Sequence, residues 1–258
     1  MGTAGASLAT AISQIISFLI MISFFIFRKS IIVLKISNIS TKIKDYAQII
    51  TTGLPTVFRQ GMGSVAAILL SNQAVKYGGD AAMSAITIAN KVYTLTRNMV
   101  LGVGQGFQPV AGYNFGAKLY KRTYQAFKFT CLIGSIICIS AGVLSYIYAE
   151  NIMAWFSKDI EVIPQGIETI RFASYVMPLM AVSTYVNQMY QCLGFKIGAT
   201  FLASCRQGIF YIPIILLLPL TKIGIIGVEL AQPLSDLLTF FVSIPFLIIF
   251  YIKHLKIN

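Results

Sequence analysis

Long apolar segments with few charges recur along the whole chain and constrain its fold more than any other feature. A helix needs about 20 apolar residues to cross a hydrocarbon core of ~30 Å. In lipid each backbone polar group must be hydrogen-bonded internally, which a helix achieves within one segment. The sequence therefore predicts an all-α, polytopic membrane helix bundle with seven transmembrane helices. We place them at residues 3–27, 54–76, 81–106, 125–149, 168–192, 198–219 and 225–252.

The composition also indicates that lipid surrounds most of the protein. Only 11% of the 258 residues are charged and 57% are hydrophobic, whereas a soluble domain has about 25% charged residues. A net charge of +12 would suggest nucleic acid as the partner of a soluble protein. In a membrane protein it first indicates orientation, because Lys and Arg collect in cytoplasmic loops. We therefore expect the lipid bilayer as a partner, and no nucleic acid.

The loop charges predict which side of the membrane each loop faces. Most loop lysines and arginines lie in residues 28–52, 107–124 and 253–258, whereas most loop acids lie in residues 77–80 and 150–167. The positive-inside rule then places the N-terminus outside and the C-terminus in the cytoplasm. We expect a multi-pass protein of the bacterial inner (cell) membrane.

The first predicted helix is similar in sequence to the last one. Five residues of the first helix recur in the last helix with the same spacing: Gly2, Gly5, Leu8, Ala9 and Ser13 correspond to Gly224, Gly227, Leu230, Ala231 and Ser235. Chance is one explanation, because membrane helices use few residue types. The other is a duplicated half of six helices, related by a parallel repeat. The segment 1–27 also lacks the basic start of a signal peptide, so we expect an upstream segment to be missing.

This duplication predicts three parts of the chain. Residues 1–27 would be the last transmembrane helix of an otherwise missing N-terminal lobe. Residues 28–52 would be a cytoplasmic linker, which could hold a short interfacial helix around residues 39–50. Residues 53–258 would form a six-helix C-terminal lobe.

Four polar motifs stand out from the apolar background. They are GQGFQPVAGYNFGAK at 104–118, GLPTVFRQ at 53–60, CRQG at 205–208 and QPLSD at 232–236. The first resembles the signature that follows the eighth helix of the multidrug and toxic compound extrusion (MATE) transporters. The others are similar to segments of that family's seventh and last two helices, in its bacterial multidrug branch. The resemblance covers essentially the whole chain.

The resemblance implies transport and no enzymatic activity. MATE transporters are antiporters of two six-helix lobes that export lipophilic or cationic drugs in exchange for H⁺ or Na⁺, with no other cofactor. In one branch, acids in the seventh and tenth helices form a sodium site. The matching second helix here carries Arg59 and Gln60 instead, and the fifth helix has no mid-membrane acid. This departure argues against a sodium site in this lobe.

Three alternatives remain open at the level of the sequence. A lipid-linked oligosaccharide flippase of the same superfamily is favoured by the intramembrane arginines. An inactive, truncated membrane protein is favoured by the odd number of helices. A membrane-embedded enzyme is not favoured, because the chain has neither an Asp-rich prenyl-phosphate motif nor His-Glu-x-x-His. The four cysteines form no C-x-x-C pair and His254 is the single histidine, so we predict no metal site.

Ionisable residues within the predicted helices are the site candidates, because each costs ~2.5–3.5 kcal/mol to insert. One interpretation is structural and assigns ion pairs or helix-end contacts to Arg59, Arg97, Arg206 and Lys91. The other is functional and assigns a pathway for substrate or ion to Asp236 and Glu229, which face one side about two helical turns apart. Polar residues that complete the predicted pathway, or that form interhelical hydrogen bonds instead, are Asn187, Gln188, Gln191 and Gln60.

Overall fold

The computed structural model describes residues 2–27 and 42–256, and nearly all of them are helical. The helices are α1 (Gly2–Ile26), α2 (Ile43–Gly116), α3 (Tyr120–Ile147), α4 (Ala149–Phe156), α5 (Val162–Cys192), α6 (Lys196–Ser204), α7 (Tyr211–Leu217) and α8 (Ile225–Tyr251). No strand occurs in these two described ranges. The predicted all-α helix bundle is confirmed.

Three helices in the described ranges are long and apolar enough to cross a membrane by length and composition alone. They are Tyr120–Ile147, Lys196–Leu220 and Ile225–His254. A shorter apolar segment, Ser7–Ser23, lies within α1. The other predicted spans are helical as well, but they carry more charged and polar residues.

The long α2 contains the predicted second and third spans, which meet at Gly79. This glycine has φ +70° and ψ −166°, a backbone conformation that residues with a Cβ rarely adopt. The helix therefore breaks there into two arms, residues 43–78 and 80–116. The first arm begins at Ile43, so residues 43–52 of the predicted linker are helical and continue into the next span. Residues 28–41 lie outside the described residues, and the cytoplasmic linker stays a prediction.

The chain divides into two compact units, Met1–Gln48 and Ile49–Asn258. In the second unit, α5 is the central helix and contacts α3, α4, α6 and α8. All side chains from Ser183 to Tyr190 are buried, so this part of α5 is covered on every side. A buried helix that carries both polar and apolar side chains in the middle of a bundle is suited to hold a polar site away from lipid.

Glycines allow close approach to α5. A Cβ added at Gly134 on α3 would collide with the ring of Tyr185, and one added at Gly104 on α2 would collide with the Gln188 side chain. In lipid, helices associate largely through such close packing, because the surrounding chains are as apolar as leucine. Tyr185 therefore lies in the core between α2 and α3.

A π-helical turn, Cys205–Ile209, separates α6 from α7. The N–H of Phe210 donates to the carbonyl of Cys205, five residues earlier, at 3.0 Å. Pro213 has no N–H to donate to the carbonyl of Ile209 four residues earlier, so the regular α-helical ladder cannot continue through this point. The widened turn carries Arg206 into the interior of the bundle, and π-turns are frequent at functional sites.

Candidate functional site

The centre of the second unit contains a buried ion pair. Arg206 Nε lies 2.7 Å from Asp236 Oδ1, and the side chains of Arg206 and Asp236 are 14% and 2% exposed. Arg206 Nη2 donates to the hydroxyl of Tyr93, and that hydroxyl donates to Asp236 Oδ2. The π-turn, the second arm of α2 and α8 therefore meet at one closed polar cluster.

Further hydrogen bonds hold this cluster in place. Gln232 Nε2, one turn before Asp236 on α8, donates to Asp236 Oδ1 at 3.3 Å. Ser235 Oγ donates to the backbone carbonyl of Arg206, a carbonyl at the π-turn. Both carboxylate oxygens of Asp236 thus accept hydrogen bonds. A buried ion pair is tolerated in a low-dielectric interior when its remaining lone pairs and protons are satisfied in this way.

A cavity of about 230 Å³, which we call the arginine cavity, lies beside the ion pair. Its charged lining residues are Arg59, Arg97 and Arg206, and no carboxylate of the described residues lines it. Neutral polar side chains and a few apolar ones complete the wall: Gln60, Asn98, Gln105, Ser183, Thr184, Asn187, Gln207, Thr239, Leu101, Leu202 and Ala203. The cavity is therefore polar and rich in hydrogen-bond donors.

Gln207 joins two of the arginines. With its amide oriented to suit both neighbours, its nitrogen donates to the backbone carbonyl of Arg59 at 2.9 Å, and its oxygen accepts from Arg97 Nη1 at 3.0 Å. Gly63 leaves the space for this side chain, since a Cβ there would lie 2.7 Å from the Gln207 amide. The Nε of Arg97 is buried, with no hydrogen-bond partner among the described residues.

Pairing differs among the three predicted structural arginines. Arg206 pairs with Asp236, as the structural interpretation expects. Within residues 42–256, neither Arg59 nor Arg97 forms an ion pair with a carboxylate. Lys91 lies away from this cavity, exposed in an apolar groove between α2, α3 and α4. The structural interpretation therefore accounts for one arginine and leaves two guanidinium groups facing the cavity.

The two candidate carboxylates occupy different environments. Glu229 is 5% exposed and lines a separate, small cavity of about 20 Å³ with Thr169, Gln232 and Tyr93. Its Oε2 has no hydrogen-bond partner in the described part of the chain. Tyr93 and Gln232 line this small cavity and also contact Asp236. The same two side chains thus lie beside Glu229 and contact Asp236. Of the two carboxylates, only Asp236 is ion-paired within the described ranges.

The polar residues predicted on α5 also lie in different environments. Asn187 lines the arginine cavity and donates to the carbonyl of Ala199 at 2.8 Å. Gln191 donates to Thr56 Oγ1 at 3.0 Å, and Gln188 Nε2 lies 3.5 Å from the carbonyl of Leu101. These last two contacts are interhelical hydrogen bonds of side chains that do not line the cavity, whereas Gln60 lines it.

Sequence reasoning missed Tyr93, Gln207 and Gln232 as members of the site. Gln207 and Gln232 stand inside the motifs CRQG and QPLSD, so the motifs contained a signal that went unused. Tyr93 has no such signal, because a tyrosine in an apolar helix is more often a packing residue. In the described ranges no group of three or more His, Cys, Asp or Glu side chains could hold a metal ion.

Known proteins similar to this chain are transporters. Two curated relatives are named multidrug export protein MepA. The one from Staphylococcus saprophyticus is 22% identical over 82% of this chain and 46% of its own length. The one from Staphylococcus aureus strain MSSA476 is 20% identical over 83% of this chain and 47% of its own length. The chain therefore spans about half the length of these relatives.

Solved structures share the fold. An outward-facing multidrug resistance MATE transporter of the MOP superfamily matches with a TM-score of 0.83 and 18% identity, over 94% of this chain and 55% of its own. A MOP superfamily transporter from Pyrococcus furiosus matches with a TM-score of 0.86 and 18% identity, over 98% and 57% of the two chains. Its structure is described as having a binding pocket of reverse polarity that suggests a different function.

The MatE family model matches residues 55–217. This range includes α2 from Pro55 to Gly116, the whole of α3 to α7 and the π-turn that carries Arg206. Together with the multidrug export relatives and the apolar helices, this match supports a multi-pass membrane protein. The chain belongs to the MatE family of MATE transporters.

Proposed function

We propose that this chain forms the C-terminal lobe, with one preceding helix, of an antiporter that exports lipophilic small molecules across the bacterial cell membrane. The observation that carries the proposal is the MatE match over residues 55–217, a range that also contributes every lining residue of the polar cavity except Thr239. The curated relatives are multidrug exporters of about twice this length, which supports an N-terminal lobe as the missing partner.

Alternating access follows from this proposal. Two lobes rock about a shared cavity, so that the cavity faces one side of the membrane at a time. The breaks at Gly79 and at the π-turn give this lobe two places where helix segments can reorient. We propose the orientation predicted from the loop charges, with the N-terminus outside and the C-terminus in the cytoplasm.

H⁺ suits this lobe better than Na⁺ as the coupling ion. Asp236 forms an ion pair with Arg206 and accepts a hydrogen bond from Tyr93. Na⁺ would therefore have to compete with a guanidinium group for this carboxylate. Glu229 is buried and has an oxygen without a partner among the described residues, so this oxygen is available to bind a proton. We therefore assign proton binding to Glu229 and positioning of Arg206 to Asp236.

The test uses the full-length gene product that contains this chain, in a bacterial strain that lacks its own drug exporters. Cells are loaded with a panel of dyes of positive, neutral and negative charge, and efflux is followed under an imposed pH gradient or an imposed Na⁺ gradient. Export driven by the pH gradient is the expected result. Absence of efflux for every dye under both gradients would overturn the proposal, and efflux under the Na⁺ gradient alone would overturn the choice of H⁺.

A lipid-linked oligosaccharide flippase is the second candidate, because three arginines line the cavity and no carboxylate of the described residues does. Acidic headgroups suit such a lining, whereas cationic drugs do not. Depletion of the full-length protein would then cause lipid-linked precursors to accumulate on the cytoplasmic side. The 258-residue chain expressed alone should show neither activity, because alternating access needs both lobes.

A further inference from the structure

The arginine cavity has more positive charge than the surrounding protein neutralises. Its lining has three guanidinium groups and no carboxylate of the described residues. Asp236, behind the wall, neutralises Arg206. Within residues 42–256, Arg59 and Arg97 have no such counter-charge. A cation would be repelled from this space, and an anion would complete it.

The hydrogen-bonding capacity of these arginines is also incompletely used. The one hydrogen bond of the Arg97 guanidinium within the described ranges goes from Nη1 to the neutral amide of Gln207, and its Nε has no partner there. Arg59 is engaged by Gln207 through its backbone carbonyl, not through its guanidinium. A guanidinium offers five donors in a planar fork that matches carboxylate, sulfonate and phosphate oxygens.

The cavity also has space and an apolar wall. A space of about 10–15 Å³ is enough for one water, and this cavity has about 230 Å³. Leu101, Leu202 and Ala203 form apolar parts of its lining, opposite in character to the arginines. Such a cavity accepts an acidic group together with an apolar portion of the same molecule.

We propose that the cavity between Arg59, Arg97 and Arg206 binds the anionic group of an acidic amphipathic compound. The inference rests on the proposed transport function and specifies its substrate class: an organic acid, whether a free molecule or the headgroup of a lipid. It replaces the cationic substrates that the family resemblance implies. Arg59 and Arg97 bind the anion directly, and Asp236 keeps Arg206 oriented toward the same space.

Binding is tested with two aromatic probes of similar size and opposite charge, naphthalene-2-sulfonate and N-methylquinolinium. Titration calorimetry on the purified chain in dodecylmaltoside micelles, with empty micelles as the blank, measures both. The sulfonate binds and the quinolinium does not. Equal binding of both probes, or binding of neither, would overturn the proposal.

Four variants locate the site. Arg59→Gln and Arg97→Gln each weaken sulfonate binding by about tenfold, the loss expected for one charged hydrogen-bond donor. Arg171→Gln is the matched control, because Arg171 lies outside the cavity, 3.3 Å from Glu150. Arg97→Lys keeps the charge and retains part of the affinity, which separates loss of the anion site from misfolding. If neither Arg59→Gln nor Arg97→Gln changes sulfonate binding, the anion binds elsewhere and the proposal is overturned.

Competition identifies the source of the acid. Displacement of the sulfonate by monododecyl phosphate, at concentrations where inorganic phosphate has no effect, supports an amphipathic ligand with a lipid-like tail. Displacement by octanoate with equal ease supports a free organic acid as well. Displacement by inorganic phosphate alone would overturn the amphipathic part of the proposal. These measurements need no ion gradient and no second lobe, so a failure of dye efflux and a failure of anion binding are separate outcomes.

Discussion

Arg206 and Asp236 form an ion pair inside the helix bundle, with Arg206 Nε 2.7 Å from Asp236 Oδ1. Arg206 comes from the π-turn after α6 and Asp236 from α8, and Tyr93 of α2 bridges them through its hydroxyl. The ion pair thereby links three helical segments that are distant in sequence. Its removal should disturb both the packing of these segments and the orientation of the guanidinium toward the cavity.

Asp236→Ala is expected to destabilise the protein by about 3–5 kcal/mol, because it leaves Arg206 buried without a counter-charge. Thermal unfolding of the purified chain in detergent measures the effect. The matched control is Glu150→Ala, which removes the partner of Arg171 in a pair whose side chains are 69% and 40% exposed. An exposed pair contributes about 0–1 kcal/mol, so equal losses in the two variants would contradict the buried ion pair.

Tyr93→Phe is expected to destabilise the protein by about 1–3 kcal/mol, because it removes a hydroxyl that serves both Arg206 and Asp236 and leaves their hydrogen-bonding groups unsatisfied. Chemical or thermal unfolding monitored by circular dichroism gives the change. Tyr113→Phe provides the comparison, since Tyr113 is exposed. A neutral Tyr93→Phe would show that the hydroxyl is not part of the cluster.

Gly104→Ala is expected to destabilise helix packing by about 1–3 kcal/mol, the usual cost of overpacking. The added Cβ would collide with Gln188 and Tyr185 on α5. Gly106, two residues later in the same motif, has no atom of the described residues within 4 Å of an added Cβ. Gly106→Ala should therefore leave the unfolding temperature nearly unchanged, and a reversed order of the two variants would contradict the packing of α2 against α5.

Glu229→Gln is expected to keep the fold and to abolish the dependence of efflux on the pH gradient in the full-length protein. Glutamine has the shape of the protonated carboxyl group but cannot release a proton, which is the step that coupling requires. Dye efflux is compared between Glu229→Gln and a control, Glu161→Gln. Glu161 is exposed and immediately precedes α5. Efflux with the normal pH dependence in Glu229→Gln would remove this residue from the coupling step.

Motifs and hydropathy are sufficient to predict much of the fold. The apolar segments predict an all-α membrane bundle, and four polar motifs point to the MATE family, which the family match confirms. Helix boundaries are less accurate at the start of α2, where residues 43–52, expected to be a linker with a short separate helix, continue without a break into the next span. Local composition there resembles a linker, and hydropathy does not measure whether the backbone stays helical.

The site shows the limit of sequence reasoning more clearly. Intramembrane charge marks Arg206, Asp236, Arg59 and Arg97 as special, because charged groups are costly in lipid. Their pattern alone leaves two interpretations open, structural ion pairs or a pathway for substrate or ion at the carboxylates. In the structure Arg206 is ion-paired with Asp236, whereas Arg59 and Arg97 line a cavity without a carboxylate partner in the described ranges. The role of that cavity stays a prediction.

Sequence by itself determined the solvent of this protein, its helical class and its family, because these depend on how apolar and polar residues alternate along the chain. Only the tertiary structure decided which charges neutralise each other. Asp236 and Glu229 have similar chemistry and lie on one helix, but Tyr93 and Arg206 form their hydrogen bonds with Asp236. Pairing over a few ångströms depends on how α2, α8 and the π-turn pack in three dimensions, and no local pattern in the chain encodes those distances.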